Sequence, residues 1–218
     1  MRFHDRAEAG QFLAQELSKL QDTPNLIVLA LPRGGVPVGF EIARALHAPL
    51  EVFVVRKLGV PGQEELAMGA VASGGVRVLN PEVVAALGRF APGAIERVTE
   101  KESAEVQRRE QQYRGTRAFP ELKGKTVILV DDGLATGATM RAAARAVRAR
   151  EPARLIIAVP VAPESSCEEM QVEADEVVCA LTPESFFGVG QFYQNFHQTT
   201  DDEVREFLAR PTVEGASA

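Results

Sequence analysis

Only two cysteines and three histidines occur among the 218 residues. Cys167 and Cys179 are too few and too isolated for a disulfide framework or a zinc site. No apolar run approaches the ~20 residues needed to cross a bilayer, so no membrane partner is expected. The N-terminal MRFHDRAEAGQFLAQEL carries charges throughout and lacks the apolar centre of a secretory signal, which makes the cytoplasm the expected location. Positive charge is the scarcer sign, with 24 Lys and Arg against 30 Asp and Glu and a formal net charge of -6. That balance argues against a general nucleic-acid binder. Patterns for a Ser-His-Asp triad, for HExxH, for a cysteine nucleophile and for the Walker phosphate loop are all missing. There is no internal repeat, and only PTVEGASA at residues 211–218 reads as a loose tail.

What is present describes one globular domain over 1–218, since 45% hydrophobic and 25% charged residues can build a core. Asp5 caps a helix over about 6–20, with Ala7, Phe12, Leu13, Leu17 and Leu20 along one stripe. NLIVLALP then reads as a strand buried on both faces, followed by RGG and a helix over about 36–46. A second apolar strand over 50–55 ends in Arg56 and Lys57, and KLGVPGQEEL after it reads as a polar loop. Segments 68–72 and 76–79 read as a hairpin, and 93–118 as a charge-rich solvated helix with Glu105–Arg109 and Glu110–Arg114 pairs. The strand TVILV, a helix over 137–150, the strand RLIIAVP, a short helix from about 164 and the strand EVVCAL complete the alternation. The expected fold is α/β: a mostly parallel open sheet with helices on both faces, a helical insertion over about 80–118 and a small C-terminal hood over about 183–200.

VILVDDGLATGAT, residues 127–139, runs four apolar residues into two adjacent aspartates and then a loop of tiny residues and threonines. Ligands of an open parallel sheet bind beyond the carboxyl ends of its strands, where Asp131 and Asp132 fall. The helix that starts within Ala135-Thr136-Gly137-Ala138-Thr139 offers free N–H groups and partial positive charge, and small residues admit an anion. The loop reads as a phosphate cradle and the aspartates as partners of sugar hydroxyls, directly or beside a metal. The plainer alternative has Asp132 capping the helix and Asp131 facing solvent.

This segment resembles the PRPP-binding signature of type I phosphoribosyltransferases. LPRGG, residues 31–35, resembles that family's pyrophosphate loop, and VVRKLG the strand end from which Arg-Lys side chains reach PRPP in adenine-type members. The resemblance implies a parallel-sheet fold with a small hood, in which the end of TVILV lies beside those of NLIVLA and LEVFVV. It implies that Asp131 and Asp132 hold the ribose 2'- and 3'-hydroxyls, and that Ala135, Thr136, Gly137, Ala138 and Thr139 hold the 5'-phosphate. Arg33, Gly34, Gly35, Arg56 and Lys57 would bind pyrophosphate, with Arg33 and Lys57 counted with the aspartates as catalytic. Mg²⁺ would sit at Asp131 and Asp132, bridging substrate oxygens, and the Pro32–Arg33 peptide would be cis. Read without the resemblance, Gly34–Gly35 is a tight turn and Arg56–Lys57 a solvated strand end.

Two departures bear on the acceptor. Hypoxanthine-guanine members place an aspartate where this chain has Ala135, and RLIIAVP lacks the lysine they point at the purine oxygen. Both argue against a 6-oxopurine. Five of the 13 aromatic residues fall within eleven positions in ESFFGVGQFYQNFHQTTDDEV, so Phe186, Phe187 and Gln191 are the candidate acceptor contacts, or else this cluster seals a sheet edge with Thr200 or Asp201 capping the last helix. The expected activity is Mg²⁺-dependent transfer of a phosphoribosyl group from PRPP to a nucleobase-like acceptor with release of pyrophosphate, in a chain that forms a homodimer. The rival is a PRPP- or nucleotide-sensing regulator with the same fold. Arg141, Arg145 and Arg148 form a basic stripe that a regulator could turn to nucleic acid, although a solvated helix face is the simpler reading.

Overall fold

The computed structural model describes residues 1–88 and 91–213, with the side chain of residue 91 also outside the description. Residues 214–218 of the expected tail therefore lie outside the described residues. Five parallel strands form the main sheet in the order β2-β1-β6-β7-β8, with β1 Leu26–Ala30, β2 Leu50–Val52, β6 Thr126–Val130, β7 Arg154–Val161 and β8 Glu176–Leu181. The central strands are apolar at every position but Thr126, at the start of β6, because both faces are covered. On one face Val28 and Ile128 meet α1 (Arg6–Glu16) and α2 (Gly35–Ala45). On the other, Leu29 and Leu129 meet α5 (Ala138–Arg148), whose Met140, Ala143 and Val147 face the sheet. The α/β architecture with helices on both faces is the one the strand pattern predicts.

β1 and β6 are neighbours in register, Ala30 opposite Val130, so the loops that follow them leave the sheet side by side. LEVFVV is placed differently from its expectation. It pairs with the far side of β1, one strand away from TVILV, and keeps only three residues in the sheet before turning away at Phe53.

A second, antiparallel sheet takes the order β3-β4-β5, with β3 Val55–Val60, β4 Gln63–Ala72 and β5 Val76–Leu79. The expected hairpin of 68–72 with 76–79 is there, Gly69 opposite Leu79. KLGVPGQEEL, read as a loop, is instead the tip of a hairpin whose residues 63–66 are exposed and therefore carry no alternation of polarity. After α3 (Pro81–Leu87), α4 (Ala91–Arg114) forms the expected Glu105–Arg109 and Glu110–Arg114 pairs at 2.6 and 2.8 Å. It is not simply solvated: Ile95, Val106 and Tyr113 pack with Leu58 and Met68 of the second sheet. α7 (Asp201–Ala209) opens with a capping box in which Thr200 accepts from the Glu203 amide and Glu203 from the Thr200 amide.

Cys167 of α6 (Glu164–Met170) and Cys179 of β8 form a disulfide, with Cα atoms 6.6 Å apart. Two cysteines make no framework, yet here they make one staple, which distance in sequence alone does not reveal. Closing the loop between residues 12 apart constrains the unfolded chain. Cys167→Ser should therefore cost about 3 kcal/mol in guanidinium unfolding against the oxidised protein. Equal unfolding midpoints would show that the staple adds nothing.

Candidate active site

The site is built where β1 and β6 end. The Pro32–Arg33 peptide is cis, as the resemblance implies. The chain then enters α2 through two glycines pressed against the aspartates. A Cβ on Gly34 would stand 2.0 Å from Asp132 Oδ2, and one on Gly35 2.7 Å from the Val130 carbonyl and 2.9 Å from Asp131 Cα. No side chain fits either position without moving the acidic pair. Motifs a hundred residues apart in the chain thus share one van der Waals surface.

The aspartates are held largely by their own neighbours. Asp131 Oδ1 accepts from the Asp132 amide at 2.8 Å, and the Asp132 carbonyl accepts from the buried Tyr193 hydroxyl at 2.7 Å. Arg6 Nε and NH2 both reach Asp132 Oδ2 at 2.8 Å. Burial raises the Asp131 carboxyl well above the ordinary aspartate range, and the adjacent Asp132 charge adds to it. Asp132 is also raised by burial, with the Arg6 charge pulling the other way. Burial and the Asp132 charge push the Tyr193 phenol up, so it remains a donor.

Beyond Asp132 the chain reaches Gly137, which adopts φ +67°, the left-handed conformation that glycine reaches most readily. α5 begins at the next residue without a side-chain cap, so its first amides stay open to a ligand. Ala135, Thr136, Ala138 and Thr139 are exposed around them. α6 supports this turn from behind. Ser166 Oγ donates to the Ala135 carbonyl at 2.8 Å, and a Cβ on Gly137 would come within 3.1 Å of Met170 Cε.

The remaining expected residues point to other partners. Arg33 NH1 lies 3.7 Å from Asp201, which also accepts from the Tyr113 hydroxyl. Arg56 donates to Glu102 at 2.8 Å and Lys57 to Glu65 at 3.3 Å. In the segment expected to form the hood, Gln191 clasps its own loop, donating to the Ser185 carbonyl and accepting from the Phe187 amide. Phe186 stacks on Phe192 at 5.6 Å, while Phe187 is 94% exposed. The aromatic cluster divides: Phe192 and Tyr193 seal an edge against Phe3, and Phe187 faces solvent. Arg141, Arg145 and Arg148 are matched by Glu169, Glu173 and Asp175 at 2.5, 2.7 and 2.9 Å, so the basic stripe is neutralised in place.

Sequence reasoning missed Arg6, Ser166 and the hydrogen-bonding role of Tyr193. For Arg6 a signal exists: a cation at the first position of a helix opposes the helix dipole and calls for a tertiary reason.

A carboxyl whose pKa is raised on folding stabilises the protein in acid, and that contribution is lost as pH rises through the raised value. Asp131→Asn keeps the acceptor oxygen and removes the charge. It should raise the melting temperature of the ligand-free protein at neutral pH, the gain shrinking toward pH about 4, near the ordinary aspartate value. Melting curves across that range check this, and a lower melting temperature at pH 7 would refute it.

Residues 3–196 match the family described as phosphoribosyl transferase domain. The chain is 49% identical over 216 residues to a Mycobacterium tuberculosis protein named "Putative phosphoribosyl transferase", covering 99% of this chain and 48% of that protein. It thus spans about half the length of the curated relatives it matches. The crystal structure of TT1426 from Thermus thermophilus superposes with a TM-score of 0.86 at 42% identity, covering 95% of this chain and 98% of that one. A protein from Aquifex aeolicus shares the fold at 11% identity and a TM-score of 0.50, over 94% of this chain and 86% of its own.

Proposed function

The chain belongs to the phosphoribosyl transferase domain family, and from that premise we propose that it moves the 5-phosphoribosyl group of PRPP onto a nitrogenous base and releases pyrophosphate. One observation carries the reading. The acidic pair, the glycine loop and an uncapped helix N-terminus converge at the ends of two adjacent strands, with Gly34 against Asp132. Sugar hydroxyls, pyrophosphate and 5'-phosphate are the three groups such an arrangement suits.

In this reading the 5'-phosphate takes the open amides and the hydroxyls of Thr136 and Thr139 at the start of α5. Asp131 and Asp132 take the ribose hydroxyls, and the Gly34–Gly35 backbone lies along the pyrophosphate. As the anomeric C–O bond breaks, its electron pair leaves on pyrophosphate and the lone pair of the acceptor nitrogen forms the new C–N bond. The sugar is cationic in between, and two nearby carboxylates favour that state by fixed charge. Positioning then does most of the work, and no protein nucleophile is required.

Among the described residues there is no group of three or more His, Cys, Asp or Glu able to hold a metal. The hard carboxylate oxygens of Asp131 and Asp132 would suit Mg²⁺, which would supply charge neutralisation for pyrophosphate. The sensor reading draws support from Arg33, Arg56 and Lys57, each already paired with a carboxylate.

Calorimetry with PRPP and Mg²⁺, together with pyrophosphate release over a panel of nucleobases, separates the two readings. Wild type should bind PRPP and turn it over with at least one base. Thr139→Ala should weaken binding by about 1.5–3 kcal/mol, the value of a hydrogen bond to a charged group, and Gly137→Val should abolish it by bulk. Replacing both Asp131 and Asp132 by Asn should reduce turnover more than affinity. Binding without pyrophosphate release from any base identifies a sensor. Wild-type affinity in the double variant sinks both readings.

A further inference from the structure

Arg6 is 7% exposed, and all three of its guanidinium nitrogens are engaged. Nε and NH2 close on Asp132 Oδ2, NH1 donates to the His197 carbonyl at 2.8 Å, and the flat face lies 4.0 Å from the centre of the Phe196 ring. This cation occupies the first position of α1, where the helix dipole disfavours it, directly after the Asp5 cap. A buried charge retained against local preference indicates a site requirement. With its nitrogens spent on protein oxygens and its face on Phe196, the side chain is not arranged to contact a ligand.

Its effect on Asp132 is specific. Oδ2 is taken by the guanidinium fork and faces Gly34, the amide goes to Asp131, and the carbonyl accepts from Tyr193. Oδ1 stays outside the guanidinium fork. The other end of the same guanidinium holds the hood at His197 and Phe196. That segment is tied down a second time, the Gln194 and Asn195 amides donating to the Phe3 and His4 carbonyls just ahead of Arg6.

We propose that Arg6 is a positioning residue that fixes Asp132 with a single oxygen turned to the sugar and fastens the acceptor hood to that carboxylate, so that the two substrate sites are coupled through one guanidinium. The sugar and acceptor parts of this inference rest on the phosphoribosyl transfer reading; the clamp between Asp132 and the hood does not.

The test uses Arg6→Lys and Arg6→Gln. Lysine keeps the charge beside Asp132 and loses the planar fork, so it separates neutralisation from positioning. Both variants are followed by melting temperature, by amide hydrogen exchange and by calorimetry with PRPP and Mg²⁺. Arg6→Lys should fold and melt near wild type, yet bind PRPP about tenfold or more weakly, the value of one hydrogen bond to a charged group. The Gln194 and Asn195 amides should exchange faster than in wild type, with the β6 and α5 amides unchanged, and PRPP should no longer protect them. Arg6→Gln should show the same pattern more strongly; if it fails to fold, the lysine variant decides. Unchanged hood exchange in Arg6→Lys overturns the clamp. Exchange that rises equally throughout the molecule does so too, because it marks a merely structural ion pair. Wild-type PRPP affinity in Arg6→Lys overturns the positioning role. If wild type itself binds no PRPP, the functional reading and the coupling fail, while hood exchange still decides the clamp.

Discussion

Everything at this site depends on how closely two loops approach at the ends of β1 and β6. Parallel strands in register deliver their loops side by side, and the glycine pair lets those loops touch. The acidic pair is thereby shaped from one side by backbone alone. Any side chain at position 34 would push Asp132 aside, so the glycines matter for what they leave out. Burial raises the pKa values of both carboxyl groups, and the Asp132 charge adds to the rise at Asp131, so the pair is electrostatically unfavourable without a ligand. Strain of this kind at a binding centre costs stability that a ligand supplying hydrogen-bond donors or a cation can return.

Support comes from elements on either side that do not themselves face a ligand. α6 backs the phosphate turn through Ser166 and Met170, and the disulfide at Cys167 anchors that helix to β8. Ion pairs from Arg141 and Arg145 to Glu169 and Glu173 join α5 to the same region. α1 backs the aspartates through Arg6. The second sheet, by contrast, is tied to α4 by apolar packing and by Arg56–Glu102.

Much of the fold was legible because strands covered on both faces run apolar without alternation, as in LIVLA and the VILV of β6. The β3–β4 hairpin was not. Residues 63–66 project beyond the core, so no burial imposes alternation, and glycine and proline at the tip read as loop. Within the site, the aspartates and glycines announced themselves because like charges at a strand end and paired glycines have few structural uses. Arg6 shows in sequence only as a cation at a helix start, and its partners, 126 and 191 residues away, are not recorded locally. The disulfide was hidden for a similar reason: α6 and β8 are brought together by the sheet order, not by sequence spacing. Gln191, expected to contact the acceptor, also clasps its own loop, a contact that depends on backbone path and leaves no mark in sequence.

The bridge of Phe3 to Tyr193 and the bond from Arg6 to His197 also set an order of assembly during synthesis. Arg6 is synthesised 191 positions before His197, whose carbonyl it holds. At ordinary rates of translation that interval is on the order of ten to forty seconds. Throughout it Phe3 has Ala9 and Phe12 of α1 as neighbours but not Tyr193. The contacts that join residues 3–6 to residues 192–197 therefore form only after both β1 and β6 have been made.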